Sequence, residues 1–305
     1  MSQSPLSDGA ATRVWLPFAV ITLIWGSTWL VIVGQLGIVP PSWSVTYRFA
    51  LGSAAIFATA LLSRAPLRLA PRDQLFVIVI GLAQFVLNFN FVYRAEQHIT
   101  SGLVAVVFAL LVVPNAIGGR LFFGQELSRQ FVAGSAIALG GMALLFLHEV
   151  RADRASADET MLGIGLTLAA VLSASIANVM QASEQARALP MPTLLAWGMA
   201  WGALIDGSFA WITTGPPVFE ATISYVAGLL YLGLIASALA FTLYFNMIRR
   251  IGPARAAYSS VLIPVVAMAL STVFEGYVWS PFAALGAVLV FVGLIVAVRA
   301  RNPAR

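Results

Sequence analysis

The sequence predicts an all-α integral membrane protein in which ten transmembrane helices form two inverted five-helix repeats. The 305 residues are 60% hydrophobic and 10% charged, and the mean hydropathy is +0.91. A soluble domain carries roughly 25% charged residues, so most of the surface of this chain must face lipid. Ten long apolar stretches divide five and five around one charged segment, Glu149–Glu159.

Each apolar stretch is near the ~20 residues that a helix needs to cross the hydrocarbon core. Prolines and glycines punctuate the gaps, as Pro40-Pro41 does after the first stretch and Gly215-Pro216-Pro217 after the seventh. The predicted spans, in order, are Trp15–Gly34, Trp43–Leu62, Leu75–Tyr93, Ile99–Phe122, Gln130–His148, Leu162–Ala182, Pro192–Thr213, Ile223–Met247, Ala254–Phe274 and Phe282–Val298.

The two groups of spans define the predicted domains. A flexible cytoplasmic N-terminus, 1–14, precedes the first five-helix repeat, 15–148. A charged external linker, 149–160, leads to the second repeat, 161–298, and to a cytoplasmic tail, 299–305. The first apolar run is long enough to remain as a span, so we expect it not to be a cleaved signal peptide.

The arginines predict the orientation, because every basic residue of this chain is an arginine. With a cytoplasmic N-terminus, 13 of the 17 lie on the cytoplasmic side, three lie on the opposite side and Arg48 lies within the second span. Positive charge concentrates in cytoplasmic loops, so both termini are predicted to be cytoplasmic. An odd number of spans per half then makes the second half enter the membrane upside down, which is typical of secondary transporters.

Two glycine–proline pairs recur about 150 residues apart. Gly102 and Pro114 match Gly252 and Pro264, with a separation of 12 residues in both halves. Both prolines lie within predicted spans, where each removes a backbone hydrogen bond and permits a kink. We therefore expect Pro114 and Pro264 to be hinges of the moving part, although tolerated prolines would give the same pattern.

Two pairs of glycines recur in the last span of each half. Gly134 and Gly141 match Gly286 and Gly293, and the members of each pair are seven residues apart. They therefore share a helix face, and small residues on one face allow two helices to approach closely in lipid. We expect these four glycines to be helix-packing positions.

Several classes of function are disfavoured by what the sequence lacks. There is no cysteine, which excludes disulfides, thiol redox chemistry and thiolate metal sites. His98 and His148 lie 50 residues apart, so they do not have the spacing of metal ligands. No phosphate-binding G-x-x-x-x-G-K-[ST] run and no G-x-S-x-G elbow occurs. We expect no cofactor, no metal and no nucleic-acid partner.

Short motifs in both halves carry a family resemblance. The first half contains Trp25-Gly26-Ser27, Arg48-Phe49, Ala95 with Ser101 and Gly102 leading to Pro114, and Gly124-Gln125-Glu126; the second contains Gly252-Pro253-Ala254 leading to Pro264, and Phe274-Glu275-Gly276-Tyr277.

In this order the motifs resemble the EamA repeat, from the ten-helix branch of the drug/metabolite transporter superfamily, over about Trp15 to Val298. The resemblance implies two inverted repeats, a substrate cavity between them, and export of small metabolites or amino acids from a bacterial cell across its inner membrane. One departure is that Glu126 precedes Gly134 by eight residues, whereas the matching place in the second half is Val278, with Glu275 about one turn earlier.

Polar side chains inside spans are candidates for function, because they are costly unless they face a cavity or a partner. Arg48 is the only arginine well inside a span, and it either contacts a substrate carboxylate or has a structural role. Asp206 and Glu275 are candidate proton sites, although a facilitator without proton coupling fits equally well.

Amides and aromatic side chains are the other candidates for substrate contact. An amide can both donate and accept hydrogen bonds, and an aromatic wall can accept an apolar side chain. Packing between helices is the alternative role for every one of them. The halves are not chemical copies, since Arg48 matches Gly198 and Asn178 matches Thr28. The candidates are Trp25, Thr28, Trp29, Asn88, Asn90, Asn178, Gln181, Tyr231 and Tyr258.

We therefore expect a multi-pass transporter of the bacterial inner membrane that exports neutral or aromatic amino acids by alternating access. Its partners are a small-molecule substrate and the lipid bilayer, and a monomer is the expected state. A multidrug exporter or a purine or nucleoside exporter of the same architecture is an alternative. An integral-membrane enzyme is the alternative from a different class, but few charged residues lie within the spans to build one.

Overall fold

The computed structural model describes residues 8–152, 157–251 and 259–299, and every regular element in these ranges is helical. The main helices are α1 Asp8–Val33, α2 Pro41–Leu62, α3 Pro71–Ala95, α4 Ser101–Phe123, α5 Arg129–Ala152, α6 Ala157–Ala182, α7 Met191–Thr214, α8 (Ile223–Leu230, Tyr231–Leu239 and Ala240–Ile251 in succession), α9 Ser259–Phe274 and α10 Pro281–Arg299, with a short helix Glu184–Ala188 before α7.

Six helices in the described part of the chain are long and apolar enough to cross a membrane, namely α1, α2, α3, α4, α6 and α8. Apolar stretches of 10–17 described residues also lie in α5, α9 and α10. α7 has 24 residues, but Asp206 and several glycines and tryptophans lower its hydropathy. Of the ten spans that the sequence predicts, six are both long enough and apolar enough among the described residues. The chain is therefore a multi-pass membrane protein.

The helix ends follow from local sequence. Pro41, Pro71 and Pro281 each occupy the first turn of a helix, where the missing N–H costs nothing. Gly124 ends α4 with a positive φ of 66°, which glycine adopts without strain.

Helices extend into segments that the sequence places outside the two repeats. α1 begins at Asp8, within the predicted flexible segment 1–14, while α5 ends at Ala152 and α6 begins at Ala157, both within the predicted charged linker 149–160. Asp158 and Glu159 lie in the first turn of α6, where negative charge stabilises a helix N-terminus. Charged residues at this place therefore start a helix as well as separating two spans.

Three helices contain irregular turns. α3 is π-helical over Leu82–Leu87 and α8 over Tyr231–Leu239, at corresponding places in the two halves. α4 has a 3₁₀ turn over Ala109–Leu111, immediately before Pro114. Pro114 cannot donate to the carbonyl of Leu110 and crowds it, which explains this turn.

The packing of helices is symmetric between the halves. α2 packs on α7, and α5 packs on α10. α1 packs on α8 and α9 of the second half, while α6 packs on α3 and α4 of the first half. The first helix of each half therefore packs mainly on the other half.

α5 and α10 approach each other through the four glycines of the predicted packing faces. A Cβ built on Gly141 would lie 2.6 Å from the carbonyl oxygen of Gly286, and Gly134 abuts the backbone of Gly293. The residue numbers increase along α5 in the direction in which they decrease along α10, so these two helices are antiparallel. In contrast, a Cβ on Gly140 would meet nothing within 4 Å.

We predict that Gly141→Leu lowers the melting temperature of the detergent-solubilised protein by several degrees. The added side chain would overpack the α5–α10 contact, which costs about 1–3 kcal/mol. Gly140→Leu is the matched control, because it makes the same change one residue away in open space. Equal melting temperatures for the two variants, measured by tryptophan fluorescence, would contradict the close contact.

Candidate functional site

Arg48 lies deep in α2 and is 1% exposed. Its Nε donates to the Ser237 hydroxyl of α8 at 3.0 Å, and its guanidinium carbon lies 4.4 Å from the centre of the Phe89 ring of α3. The guanidinium Nη1 has no hydrogen-bond partner among the described residues. Three helices therefore hold the guanidinium in place and leave one of its donor atoms available.

One face of α3 extends from Phe89, which lies beside Arg48, toward the C-terminal end of α3. Phe89, Tyr93 and Glu96 are four and three residues apart, which places them on one side of a helix. Tyr93 is fully buried and Glu96 is 7% exposed. The Tyr93 hydroxyl lies beside the guanidinium of Arg48. We refer to Arg48, Phe89, Tyr93 and Glu96 as the polar cluster.

Glu96 follows the last residue of α3 and carries two carboxylate oxygens without a hydrogen-bond partner among the described residues. It is close enough to Arg48 and Glu275 to interact electrostatically with both. Burial raises the pKa of Glu96 well above its ordinary value, Glu275 raises it further and Arg48 lowers it. An unpaired buried carboxylate is costly, which marks this position as a candidate for ligand contact.

Two residues of the turn between α3 and α4, Glu96 and Ile99, are buried, because residues of α6 and of the segment after α9 pack beside this turn. Ile99 in this turn packs against Gly163 of α6. Glu275, just beyond α9, accepts a hydrogen bond at 3.1 Å from the backbone N–H of Ser101 and another from the Ser101 hydroxyl. Glu275 thus caps the N-terminus of α4, and in this conformation its carboxylate is occupied by that role.

Asp206 lies on α7 in a buried hydrogen-bond network with α2 and α3. Its Oδ1 accepts from Asn90 Nδ2 at 2.7 Å, and Thr46 approaches its other oxygen at 3.5 Å. Arg94 donates to Asn90 Oδ1 at 2.5 Å and to the Ser42 hydroxyl at 3.1 Å. Asn90 and Asp206 therefore satisfy each other, and proton binding by Asp206 stays a prediction.

The aromatic candidates connect α1 to α8. Trp25 Nε1 donates to the Ala236 carbonyl at 3.1 Å, and the Tyr231 hydroxyl lies 2.7 Å from the Ser27 hydroxyl. Trp29 is 8% exposed, and its indole N–H has no partner among the described residues. Of these aromatic candidates, Trp29 is the one that presents an unused buried donor.

The remaining candidates lie apart from the polar cluster or within their own helices. Thr28 donates to the Trp25 carbonyl one turn back, and Asn88 donates to the carbonyl of Gln84. Asn178 and Gln181 are half-buried near the end of α6, and Gln181 Nε2 has no partner within the described ranges. The other positions are Pro114 inside α4, Pro264 inside α9, and Tyr258, which lies outside the described residues.

Sequence reasoning missed Phe89, Tyr93 and Glu96. Glu96 falls in the gap between the predicted spans Leu75–Tyr93 and Ile99–Phe122, and only polar side chains inside spans are candidates there. The signal that could have found them is the helical spacing of Phe85, Phe89, Tyr93 and Glu96 on one face of α3. Among the described residues, no group of three or more His, Asp or Glu side chains is placed to hold a metal ion.

Comparison with known proteins gives a consistent result. The EamA-like transporter family matches the chain twice, over residues 14–147 and 161–299. Protein PagO of Salmonella typhimurium is 25% identical over 93% of this chain and 92% of its own length. A probable amino-acid metabolite efflux pump of Escherichia coli is 26% identical, covering 91% and 92%. One crystal structure matches with a TM-score of 0.68 at 22% identity, covering 94% of this chain and 97% of that one.

We predict that Asp206→Asn lowers the melting temperature by a few degrees. The amide cannot carry the charge that faces Arg94, and its NH₂ group competes with the Asn90 donor; leaving a buried partner unsatisfied costs about 1–3 kcal/mol. Ser208→Ala is the control on the same helix, because Ser208 is exposed and bonds only its own helix. A melting curve unchanged by Asp206→Asn would rule out a structural role for this network.

Proposed function

Because the chain belongs to the EamA-like transporter family, we propose that it is a secondary transporter that exports small metabolites, most specifically neutral or aromatic amino acids. The observation that carries the proposal is the polar cluster, in which buried ionisable groups from α2 and α3 keep unpaired atoms. Such groups inside a lipid-embedded bundle are costly and mark substrate pathways. The Escherichia coli relative named as a probable amino-acid metabolite efflux pump supports the choice of substrate class.

The proposed architecture is ten spans in two inverted repeats, with both termini in the cytoplasm. The double match to one family supports the duplication. Antiparallel packing of corresponding helices supports the inversion: besides α5 and α10, α2 meets α7 with Thr46 beside Gly207 and Ser53 beside Ala196. The arginine bias supports the orientation, and the bacterial relatives support the inner membrane as the location.

Alternating access requires contacts that close one side and can separate. The cap that Glu275 places on α4 is such a contact, since it joins the two halves at a helix end. Gly102 continues this contact, because a Cβ there would lie 2.7 Å from Met268 and Ser271 side-chain atoms of α9. Rocking about the kinks at Pro114 and Pro264 would separate α4 from α9 at this end.

The direct test is flux through liposomes that contain the purified protein. We expect labelled leucine and phenylalanine to equilibrate faster than in empty liposomes, with a rate that saturates. Imposing a pH gradient changes the rate only if a proton is exchanged, and Asp206→Asn and Glu275→Gln then show which carboxylate carries it. A rate equal to that of empty liposomes for amino acids, nucleobases and cationic drugs alike would overturn the transport proposal.

We predict that joining α4 to α9 stops transport. The chain has no cysteine, so Ser101→Cys with Glu275→Cys introduces the only two thiols for a short bifunctional thiol reagent. The cross-link should reduce flux to the level of empty liposomes, and reductive cleavage should restore it. Each single-cysteine variant treated with the same reagent is the control. Unchanged flux in the cross-linked protein would show that α4 and α9 need not separate.

A further inference from the structure

We propose that Arg48 and Glu96 form the two ends of a binding site for the head group of an α-amino acid. The guanidinium of Arg48 takes the substrate carboxylate, and the carboxylate of Glu96 takes the substrate ammonium group. The proposal rests on the proposed transport function, since it names the substrate class and the residues that select it.

The first observation is that the atoms that would bind the head group have no other hydrogen-bond partner. Arg48 Nη1 and both oxygens of Glu96 lack one among the described residues, although both side chains are more than nine-tenths buried. The Tyr93 hydroxyl lies beside the guanidinium and is a third polar group in this region. Buried polar groups are nearly always hydrogen-bonded, so a cluster of unused ones of both signs indicates a place for a polar ligand.

The second observation is the separation of the two charges. Arg48 and Glu96 interact electrostatically, yet they make no ion-pair contact; the ion pair that the described residues do contain is His98 with Glu159. Tyr93 lies beside Arg48 and one helical turn before Glu96, on the same face of α3. Burial favours the neutral form of Glu96 while the two groups are held apart, and a cation placed beside it favours the carboxylate. A ligand with a negative and a positive group on one carbon atom compensates both at once.

The third observation is that the guanidinium is fixed before any ligand binds. The Phe89 ring stacks on one face at 4.4 Å, and Ser237 holds Nε at 3.0 Å. These contacts leave Nη1 as the unused donor, and a planar guanidinium suits a carboxylate. Because Ser237 comes from the π-helical part of α8, the second half of the chain positions a substrate contact that the first half supplies.

The arrangement excludes ligands that carry only one of the two charges. A carboxylic acid without an ammonium group would satisfy Arg48 but would leave the Glu96 oxygens without a cation. An amine without a carboxylate would satisfy Glu96 and leave Arg48 unpaired. Specificity therefore comes from the cost of the charge that stays unpaired, as well as from the contact that is made.

The test uses matched ligands with the unmodified protein. The probes are phenylalanine, 3-phenylpropanoate and 2-phenylethylamine, together with leucine, 4-methylpentanoate and 3-methylbutylamine. Binding is measured by calorimetry in detergent, and transport by counterflow in liposomes. We expect each amino acid to bind at least tenfold more tightly than either of its one-charge analogues. Equal binding of an amino acid and its two analogues would overturn the assignment while leaving the transport function intact.

Two variants assign the two ends of the site. Glu96→Gln should weaken amino-acid binding about tenfold or more and abolish discrimination against the carboxylate-only analogue, while Arg48→Gln should abolish discrimination against the amine. Glu126→Gln and Arg72→Gln are matched controls at exposed positions and should leave binding unchanged. If Arg48→Gln does not fold, Glu96→Gln and the ligand series still decide.

The outcomes separate this proposal from the proposed function. Transport of amino acids with wild-type selectivity in Glu96→Gln would refute the role of Glu96 alone. Failure of the wild-type protein to bind or transport any of the six probes would count against the amino-acid function and against this site together.

Discussion

A guanidinium inside a lipid-embedded bundle must find its partners within the protein or on a ligand, and the centre of this structure is organised around that requirement. The backbones of α2 and α8 come close together beside Arg48, because a Cβ on Gly233 would lie 3.1 Å from the Arg48 carbonyl oxygen. That close approach brings the Ser237 hydroxyl within reach of Nε. A larger residue at Gly233 would separate the helices and leave the arginine with fewer partners.

A similar close approach of backbones occurs between α3 and α7, but without an arginine. The two contacts therefore show how similar helix packing can surround different side chains. A Cβ on Gly81 of α3 would lie 2.6 Å from the carbonyl oxygen of Gly198 on α7. Gly198 is the position that matches Arg48 in the other half, and the Phe85 ring occupies the space beside it. Each half thus keeps the backbone contact that packs the bundle. The α2–α8 contact carries a cation beside it, whereas the α3–α7 contact carries a hydrocarbon ring.

The sequence could predict the elements whose cause is local. Apolar runs, prolines and glycines located the helices to within a few residues over most of the chain, and the glycine spacing located the faces where α5 and α10 meet. It could not predict which polar groups satisfy one another, because that depends on contacts between distant segments. Asn90 and Asp206 are 116 residues apart and form one network. Glu96 falls outside the predicted spans, and nothing near it in sequence shows that α6 and the end of α9 pack beside this turn.

Glu275 links the closure of the bundle to the polar cluster. Its carboxylate caps α4 through Ser101, and the same charge lies close enough to Glu96 to interact with it. When α4 and α9 are together, the half-buried carboxylate of Glu275 raises the pKa of the buried Glu96, whereas Arg48 lowers it. If the proposed site holds an amino acid, its ammonium group beside Glu96 would offset the effect of Glu275, and the bound substrate would stabilise the closed end more than the empty site does. Separation of α4 from α9 would move Glu275 away from Glu96 and so lower the affinity of the site for the ammonium group. A single carboxylate at a helix end can in this way couple the opening of the bundle to the release of its substrate.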